Sequence, residues 1–269
     1  MRVQILQLPY DSGHQGVRMG AGPQHFIKHR FDEILRASGH EVLVQSIEAT
    51  IPFKTDVGTA FNLNRLLAER VRDAVKSSSF PLVLSGNCNS CLGTLAGLGS
   101  EEIGIIWFDA HGDFNTPEIT PSGFFDGMAL AVATGRCWKT LTATIPGFHP
   151  AASERVIHIG GRHFDIEEKE LLQESGAAVL EAQLVRSKGI AESLSHALER
   201  LQKQVRHIYL HLDIDVLDPR EARGNEFAPP DGLSVAQVQD GIRLIRDKFA
   251  IRAFAITAYD PRSDEGNRA

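Results

Sequence analysis

The residue types best suited to chemistry lie in the segment Asp-Ala-His-Gly-Asp at positions 109–113, which follows an apolar run from Ile103 to Phe108. The run predicts a buried strand, and alternate side chains of a strand share one face. Asp109 and His111 would therefore point the same way, and Asp113 would join them if the chain stays extended. Two carboxylates and an imidazole that converge at a strand end suit a divalent metal ion. The alternative is a polar loop with the same three side chains solvated, and this segment alone leaves both interpretations open.

A second pair of carboxylates, Asp213 and Asp215, follows another apolar run at positions 207–212. Taken alone, the pair is more typical of a turn, because aspartate side chains hydrogen-bond turn backbone. Beside the first segment, however, four carboxylates at neighbouring strand ends would repel one another strongly without a cation. Two divalent ions would offset that repulsion and suit an oxygen-rich set of ligands.

The elements that must position these residues alternate between short apolar strands and amphipathic helices, which indicates parallel βαβ units in a single α/β domain over residues 1–269. The predicted strands are Val3–Leu8, Glu41–Ser46, Phe80–Leu84, 103–109, Val156–Ile159, Ala178–Leu180, His207–Leu212 and Ile251–Thr257. The predicted helices are Gln24–Ala37, Ala60–Ser77, Cys91–Gly97, Met128–Thr134, Ile166–Ser175, Ile190–Gln204 and one that begins after a Ser234 cap and ends at Phe249. Parallel sheets bind ligands at the carboxyl ends of their strands, where the polar segments of this chain fall.

The composition is that of an ordinary globular protein, with 42% hydrophobic and 23% charged residues among 269. A net charge of −6 argues against a nucleic-acid partner or an anionic membrane surface. Three cysteines cannot all pair, which favours a reducing compartment. The first ten residues are too short and interrupted for a signal peptide, and no apolar run has the length of a membrane span. We therefore expect a cytoplasmic protein with a small-molecule partner, and homo-oligomerisation is left open.

Two motifs carry a family resemblance. Asp-Ala-His-Gly-Asp-Phe-Asn-Thr-Pro at 109–117 and Asp-Ile-Asp-Val-Leu-Asp-Pro at 213–219 resemble the signature motifs of the arginase/agmatinase/formimidoylglutamase (ureohydrolase) family. The resemblance runs from the loop at 20–23 to the last strand. It implies a three-layer α/β/α fold with a mainly parallel central sheet, and a site for two Mn²⁺ ions at which a bridging hydroxide attacks a guanidino or amidino carbon. The ligands that it implies are Asp109, Asp113 and Asp213, which would include those that bridge the two ions, together with His111 and Asp215, which would complete one or other ion.

A third family motif, Gly-Gly-Asp-His-Ser, supplies a histidine ligand, and the matching stretch here is Ser-Gly-Asn-Cys-Asn-Ser at 85–90. The resemblance therefore places Cys88 at the position of a metal-binding histidine. A thiolate can bind a divalent ion, although it is softer than Mn²⁺ prefers. The alternative is a buried cysteine that only fills space. With cysteine in place of this histidine, the motif resembles that of the Nω-hydroxy-L-arginine amidinohydrolase branch of the family.

The resemblance also implies how a substrate would bind. Asn115, Thr120 and Ser122 match family positions that hold an α-carboxylate, and Asp165 matches one that holds an α-amino group. Amide, hydroxyl and carboxylate groups suit those partners, so an amino acid is favoured over a bare amine such as agmatine. The alternative is that the loop side chains only satisfy their own backbone.

Two departures from the family pattern affect catalysis. The proton-transferring histidine is replaced by Asp126, which becomes a catalytic candidate beside Asp113. The glutamate that pairs with the guanidinium is replaced by Ala258, and Asp260 or Glu118 is one alternative source of the missing carboxylate. A substrate with less charge at that end, such as a hydroxyguanidine or formimino group, is the other solution.

The sequence therefore predicts a manganese-dependent hydrolase of Nω-hydroxy-L-arginine or arginine. A formimidoylglutamate hydrolase and a non-catalytic binding protein on the same scaffold are the alternatives.

Overall fold

Eight parallel strands form one sheet in the computed structural model, which describes residues 1–99, 102–264 and 266. They are β1 (Arg2–Leu8), β2 (Glu41–Ser46), β3 (Ser79–Ser85), β4 (Ile103–Phe108), β5 (Val156–Ile159), β6 (Ala178–Leu180), β7 (His207–Asp213) and β8 (Ala250–Thr257). Their order across the sheet is β2-β1-β3-β8-β7-β4-β5-β6. Each predicted strand is present, with ends that differ from the prediction by no more than one residue.

Helices cover both faces of the sheet. They are α1 (Gly22–Lys28), α2 (Phe31–Ala37), α3 (Asp56–Lys76), α4 (Cys91–Leu98), α5 (Ala129–Ala133), α6 (Lys139–Thr142), α7 (Ile166–Glu174), α8 (Ala182–Lys188), α9 (Ile190–Gln202) and α10 (Val235–Lys248). Helices α3, α4 and α5 pack on one face, and α1, α8, α9 and α10 pack on the other. The predicted three-layer α/β/α fold is confirmed. No helix within the described ranges is long and apolar enough to cross a membrane.

The apolar run of β4 explains why both faces are covered. Ile103, Ile105 and Trp107 face α3 and α4, whereas Ile106 and Phe108 face α9 and α10. A parallel strand that is buried on both sides needs apolar residues at successive positions rather than at alternate ones. The strand therefore forms part of two cores at once.

Three predicted helices differ from the structure. Helix α3 begins at Asp56, four residues before the predicted start at Ala60, with Thr55 as its cap. The helix predicted over 24–37 is divided into α1 and α2 at Arg30, whose φ of +67° interrupts the helix, and the Phe26 and Phe31 rings lie 5.8 Å apart across the division. The helix predicted at 128–134 begins as a 3₁₀ turn at Asp126–Met128 and continues as α5. Helices α6 and α8 were not predicted, because one or two turns are too short to show a helical period.

The register of the sheet brings the polar segments together. Thr257 at the end of β8 pairs with Ser85 of β3 on one side and with Asp213 of β7 on the other. Phe108, the last residue of β4, pairs with Leu212 of β7. The segments that follow β3, β4 and β7 therefore leave the sheet at the same edge.

Candidate metal centre

Two groups of metal-binding side chains lie at this edge, and they share one carboxylate. Asp109, His111 and Asp215 each offer a ligand atom, and these atoms lie within 4.8 Å of one another. Cys88, Asp109 and Asp113 form a second group by the same measure. Asp109 belongs to both groups, so its carboxylate would be available to an ion held by either.

Asp113 reaches the cluster by a turn rather than along an extended strand. Strand β4 ends at Phe108, and Asp113 has a φ of +48°, in the left-handed region. Its carbonyl oxygen accepts the N–H groups of Leu130 and Ala131 at 2.9 and 3.1 Å, which ties the bent backbone to α5. The condition that the chain stay extended was therefore wrong, although the carboxylate joins the cluster. A left-handed non-glycine residue is costly and is often retained at a functional site.

The donors fit divalent ions. One carboxylate oxygen of Asp113 is buried and has no hydrogen-bond partner in the part of the chain that the structure describes. A buried charged oxygen without a partner is costly unless a cation neutralises it. Asp213 belongs to neither group of three, but it contacts a member of each: its Oδ2 accepts the Cys88 thiol at 3.0 Å, and its Oδ1 accepts the backbone N–H of Asp215 at 2.8 Å.

Neighbouring groups orient the ligands. The indole N–H of Trp107 donates to Asp109 Oδ2 at 2.9 Å, and the backbone N–H of Ala110 donates to Asp215 Oδ1 at 3.1 Å. His158 Nε2 lies 2.6 Å from the carbonyl oxygen of His111. Such outer contacts fix the direction in which a ligand points and are typical of metal sites.

The electrostatics of the cluster are those of crowded, buried carboxylates. Burial and the neighbouring carboxylates raise the pKa of Asp113 and of Asp213 well above the ordinary value, and raise that of Asp109 to about 6. Burial lowers the pKa of His111, but Asp215 and Asp109 outweigh it and raise the value to about 12. Burial alone would raise the pKa of Asp215, but the contact with His111 outweighs burial and lowers it. The repulsion among these crowded carboxylates favours a cation, which the His111 imidazole would bind in its neutral form.

Asp126 lies against the segment that carries Cys88. Its Oδ2 accepts the side-chain N–H of Asn87 at 2.9 Å and the backbone N–H of Cys88 at 3.0 Å. Its Oδ1 accepts the backbone and side-chain N–H groups of Asn89 at 2.8 and 2.9 Å. Burial raises the pKa of Asp126 to about 7, although these hydrogen bonds oppose the shift. The carboxylate therefore contacts the cysteine loop with both oxygens.

A cavity of about 480 Å³ opens above the cluster. Its wall contains Cys88, His111, Asp113, Asn115, Thr120, Ser122, Asp126, Asp165, Asp213 and Asp215. All predicted site residues except Asp109 thus line one cavity, and Asp109 lies in the cluster beneath it.

The four predicted substrate residues differ in their contacts. Asn115 donates to the Asp165 carboxylate at 2.9 Å, and its side-chain oxygen is buried with no partner in the described ranges. The hydroxyls of Thr120 and Ser122 accept backbone N–H groups of their own loop at 3.1 and 3.2 Å. The hydroxyls of Thr120 and Ser122 therefore hydrogen-bond backbone groups of their own loop, as the alternative interpretation expects. Each hydroxyl still has its own proton, which it can donate to a ligand.

A model of the arginase family matches residues 1–269 of this chain. The chain belongs to the arginase family.

Known proteins that are similar to this arginase-family chain match most of its length. The arginase of Bacillus caldovelox is 34% identical over 208 residues, which is 76% of this chain and 69% of that protein. The crystal structure of arginase from Bacillus subtilis has a TM-score of 0.91 at 28% identity and covers 100% of this chain and 94% of that one. The formimidoylglutamase structure from Bacillus subtilis has a TM-score of 0.76 at 18% identity, covers 99% of this chain and 82% of that one, and shows the likeness of fold alone.

At position 258, the cavity wall of this arginase-family protein has an alanine and therefore no carboxylate. Ala258 lines the cavity, whereas Glu118 and Asp260 do not occur in the described wall. Asp260 accepts the Arg262 guanidinium at 2.7 Å, and Glu118 is exposed. The wall instead includes a cation, Arg18, whose Nε lies 2.8 Å from the buried Asp11 carboxylate.

Glu168 and His163 are among the cavity residues that the sequence did not predict. Glu168 is buried, accepts the backbone N–H of Phe114 at 2.9 Å and that of Asp165 at 3.1 Å, and joins the segment after β4 to the start of α7. An acidic residue three positions after Asp165 at a helix start was the available signal. His163 lies at the wall with its ring 5.3 Å from that of His111, and nothing in its sequence context marks it.

Proposed function

We propose that this protein is a binuclear-metal hydrolase that cleaves the guanidine C–N bond of an amino acid, with Nω-hydroxy-L-arginine as the best substrate and arginine as the next. The observation that carries the proposal is the Asp109 carboxylate shared by two donor groups, beside an unpartnered oxygen of Asp113. A binding protein without catalysis has no evident use for this arrangement, because buried carboxylates without a cation are costly.

Two Mn²⁺ ions would be held by Cys88, Asp109 and Asp113 on one side and by Asp109, His111 and Asp215 on the other. Asp213, which contacts Cys88 and Asp215, is the further proposed ligand. When bound, such ions supply Lewis acidity and lower the pKa of water, so that a nucleophile is present at neutral pH. Cys88 is the soft member of the set, and we expect it to weaken the preference of its site for Mn²⁺.

The side chains of the cavity would bind and orient the amino-acid end of the substrate. Asn115, Thr120 and Ser122 present amide and hydroxyl donors for an α-carboxylate, and Asp165 presents a carboxylate for an α-ammonium group. Asp165 is fixed by the 2.9 Å contact with Asn115, so the two ends of the amino acid would be recognised by coupled side chains.

The bonds that change are one C–O and one C–N. An oxygen from water bonds to the guanidine carbon, the C–N bond to the amino-acid side chain breaks, and the leaving amine takes a proton. The products from hydroxyarginine are hydroxyurea and an ornithine-like amino acid. Asp113 and Asp126, which line the cavity, are the proposed catalytic carboxylates, with Asp126 as the proton-transfer group.

The cavity wall supports a substrate with a less basic terminal group than arginine. Ala258 offers no carboxylate to a guanidinium. A hydroxyguanidine carries less charge at neutral pH than a guanidinium, so hydroxyarginine is preferred to arginine. Formimidoylglutamate, whose formimino group meets the same condition, is the alternative substrate outside this pair.

Two measurements test the proposal. Elemental analysis after reconstitution with Mn²⁺ is expected to give two ions per chain, and fewer than one would contradict the binuclear site. Product release from hydroxyarginine, arginine and formimidoylglutamate, compared at equal substrate concentration, is expected to be fastest for hydroxyarginine. Full metal loading without turnover of any of the three would instead support a binding protein.

A further inference from the structure

A chain of buried hydrogen bonds ends at the sulfur of Cys88. The Tyr209 hydroxyl lies 2.7 Å from His211 Nδ1, and His211 Nε2 lies 3.1 Å from the Thr257 hydroxyl. The Thr257 hydroxyl in turn lies 3.2 Å from Cys88 Sγ. Tyr209, His211 and Thr257 are completely buried, and none of them belongs to the cavity wall described above.

The strand pattern explains how these residues meet. Tyr209 and His211 alternate along β7 on the same face, and Thr257 at the end of β8 is in register with Asp213. On the other side of β7, Trp107 is in register with His211, and the two rings stack with centroids 3.5 Å apart and planes 1° apart. The imidazole is therefore held by a stacked ring as well as by hydrogen bonds at both nitrogens.

The hydrogen-bond donors of Tyr209, His211 and Thr257 can all point toward the Cys88 sulfur. With the phenolic O–H of Tyr209 as the donor to Nδ1, for which no other acceptor lies within hydrogen-bond distance in the described ranges, a neutral imidazole carries its hydrogen on Nε2 and donates to Thr257. The Thr257 hydroxyl is then left with its own proton. Of the two acceptors within its reach, Cys88 Sγ at 3.2 Å is nearer than the Leu212 carbonyl oxygen at 3.4 Å.

A cysteine that only filled space would not need this arrangement. Buried cysteines that act as small apolar groups lie among apolar side chains, and three buried polar side chains are costly unless all of them are hydrogen-bonded. The opposite side of the sulfur faces Asp213 at 3.0 Å and belongs to the group with Asp109 and Asp113. The sulfur thus has a fixed donor behind it and carboxylates in front.

We propose that Thr257 is a positioning residue, held by His211 and Tyr209, which donates a hydrogen bond to the Cys88 sulfur and directs it toward Asp109 and Asp113. The proposal rests on the proposed function, in which Cys88 is a metal ligand. It assigns to Thr257 the outer contact that metal-binding side chains require for a fixed orientation.

The matched variants are Thr257→Val, which keeps the shape of the side chain but loses the hydroxyl, and Thr257→Ser, which keeps the hydroxyl. Titration with Co²⁺ reports the affinity of each ion, and sulfur-to-cobalt charge-transfer absorption reports whether the thiolate is a ligand. In Thr257→Val we expect roughly 10- to 100-fold weaker binding of one ion and a weaker or shifted charge-transfer band. Thr257→Ser is expected to restore both.

Thr59→Val is the control, because Thr59 is also buried and its hydroxyl donates to the Thr55 carbonyl oxygen at 3.1 Å within the start of α3. It is expected to leave the Co²⁺ titration unchanged. If Thr257→Val does not fold, Tyr209→Phe removes the far end of the chain at nearly constant volume, and a smaller change in the same direction is expected.

Two results would overturn the inference, and they are distinguishable. A charge-transfer band in the wild type that is unchanged in Thr257→Val, with unchanged affinity, would remove Thr257 from its role and leave Cys88 as a ligand. A wild type that binds Co²⁺ without any sulfur band would remove Cys88 itself from the ligand set. In that case the proposed metal centre would need revision as well.

Discussion

Replacement of Asp126 by asparagine tests how strongly this carboxylate anchors the cysteine loop. The carboxylate accepts four N–H groups, two at each oxygen, from Asn87, Cys88 and Asn89. An asparagine of the same shape offers one carbonyl oxygen, so its NH₂ group must face two of the four donors. Each buried donor that loses its acceptor costs about 1–3 kcal/mol, so the free energy of unfolding should fall by about 2–6 kcal/mol. Such a loss would be a large fraction of a typical total of about 5–15 kcal/mol.

The assay is urea unfolding at roughly pH 8, where most of the carboxylate is ionised because its pKa is about 7. Asp240→Asn is the control, since Asp240 is exposed and forms an ion pair with Arg243, three residues later in α10. The control should change the free energy by less than about 0.5 kcal/mol. A loss below about 1 kcal/mol in Asp126→Asn would refute the reasoning, because it would mean that the four contacts are replaced without cost. A Mn²⁺ titration of the same variant should also show weaker binding, since the N–H of Cys88 is among the donors.

Further predictions concern the metal and the substrate. Saturating Mn²⁺ at about 100 times its dissociation constant should stabilise the protein by about 2.7 kcal/mol per site, a rise in Tm of at least roughly 5 °C that a chelator reverses; an unchanged Tm would contradict a specific site. Cys88→His should raise Mn²⁺ affinity, because imidazole suits this ion better than a thiolate does, and equilibrium dialysis against Cys88→Ser gives the comparison. Ala258→Glu should raise kcat/KM for arginine by roughly 10- to 100-fold relative to hydroxyarginine, as a charged hydrogen bond contributes about 1.5–3 kcal/mol, and an unchanged ratio would place the guanidine elsewhere. Asp165→Ala should raise KM with little change in kcat if it contacts only the amino end, and a fall in kcat alone would argue against that role.

The positions of the strands were predictable because a buried parallel strand has a simple signature. Val156–Ile159 and Ala178–Leu180 were predicted with the ends that the structure shows. Helix boundaries were less predictable where the backbone departs from helical geometry. The division at Arg30 depends on a left-handed residue that no glycine or proline announces, and it is stabilised by the packing of Phe26 on Phe31.

The site shows the same distinction. The types and spacing of Asp109, His111, Asp213 and Asp215 indicated a metal centre, because the period of a strand fixes which side chains share a face. The same logic failed at Asp113, whose carboxylate arrives through a turn with φ of +48°. Local sequence could suggest that it belongs to the cluster but could not supply that path.

By itself, the sequence determined the α/β class and the edge of the sheet at which the polar segments lie, since both follow from short-range periodicity. The three layers and most of the residues that gather at this edge followed from the resemblance of its motifs to the arginase family. Only the tertiary structure decided what lies behind those residues. The contacts of Asp126 with 87–89 and of Thr257 with His211 and Cys88 join segments that are 37 to 169 positions apart. No local pattern encodes such pairs, because they depend on strand order and on the register in which β8 lies between β3 and β7. The ligand types in this metal centre are thus written in the sequence, whereas their orientation is a property of the folded sheet.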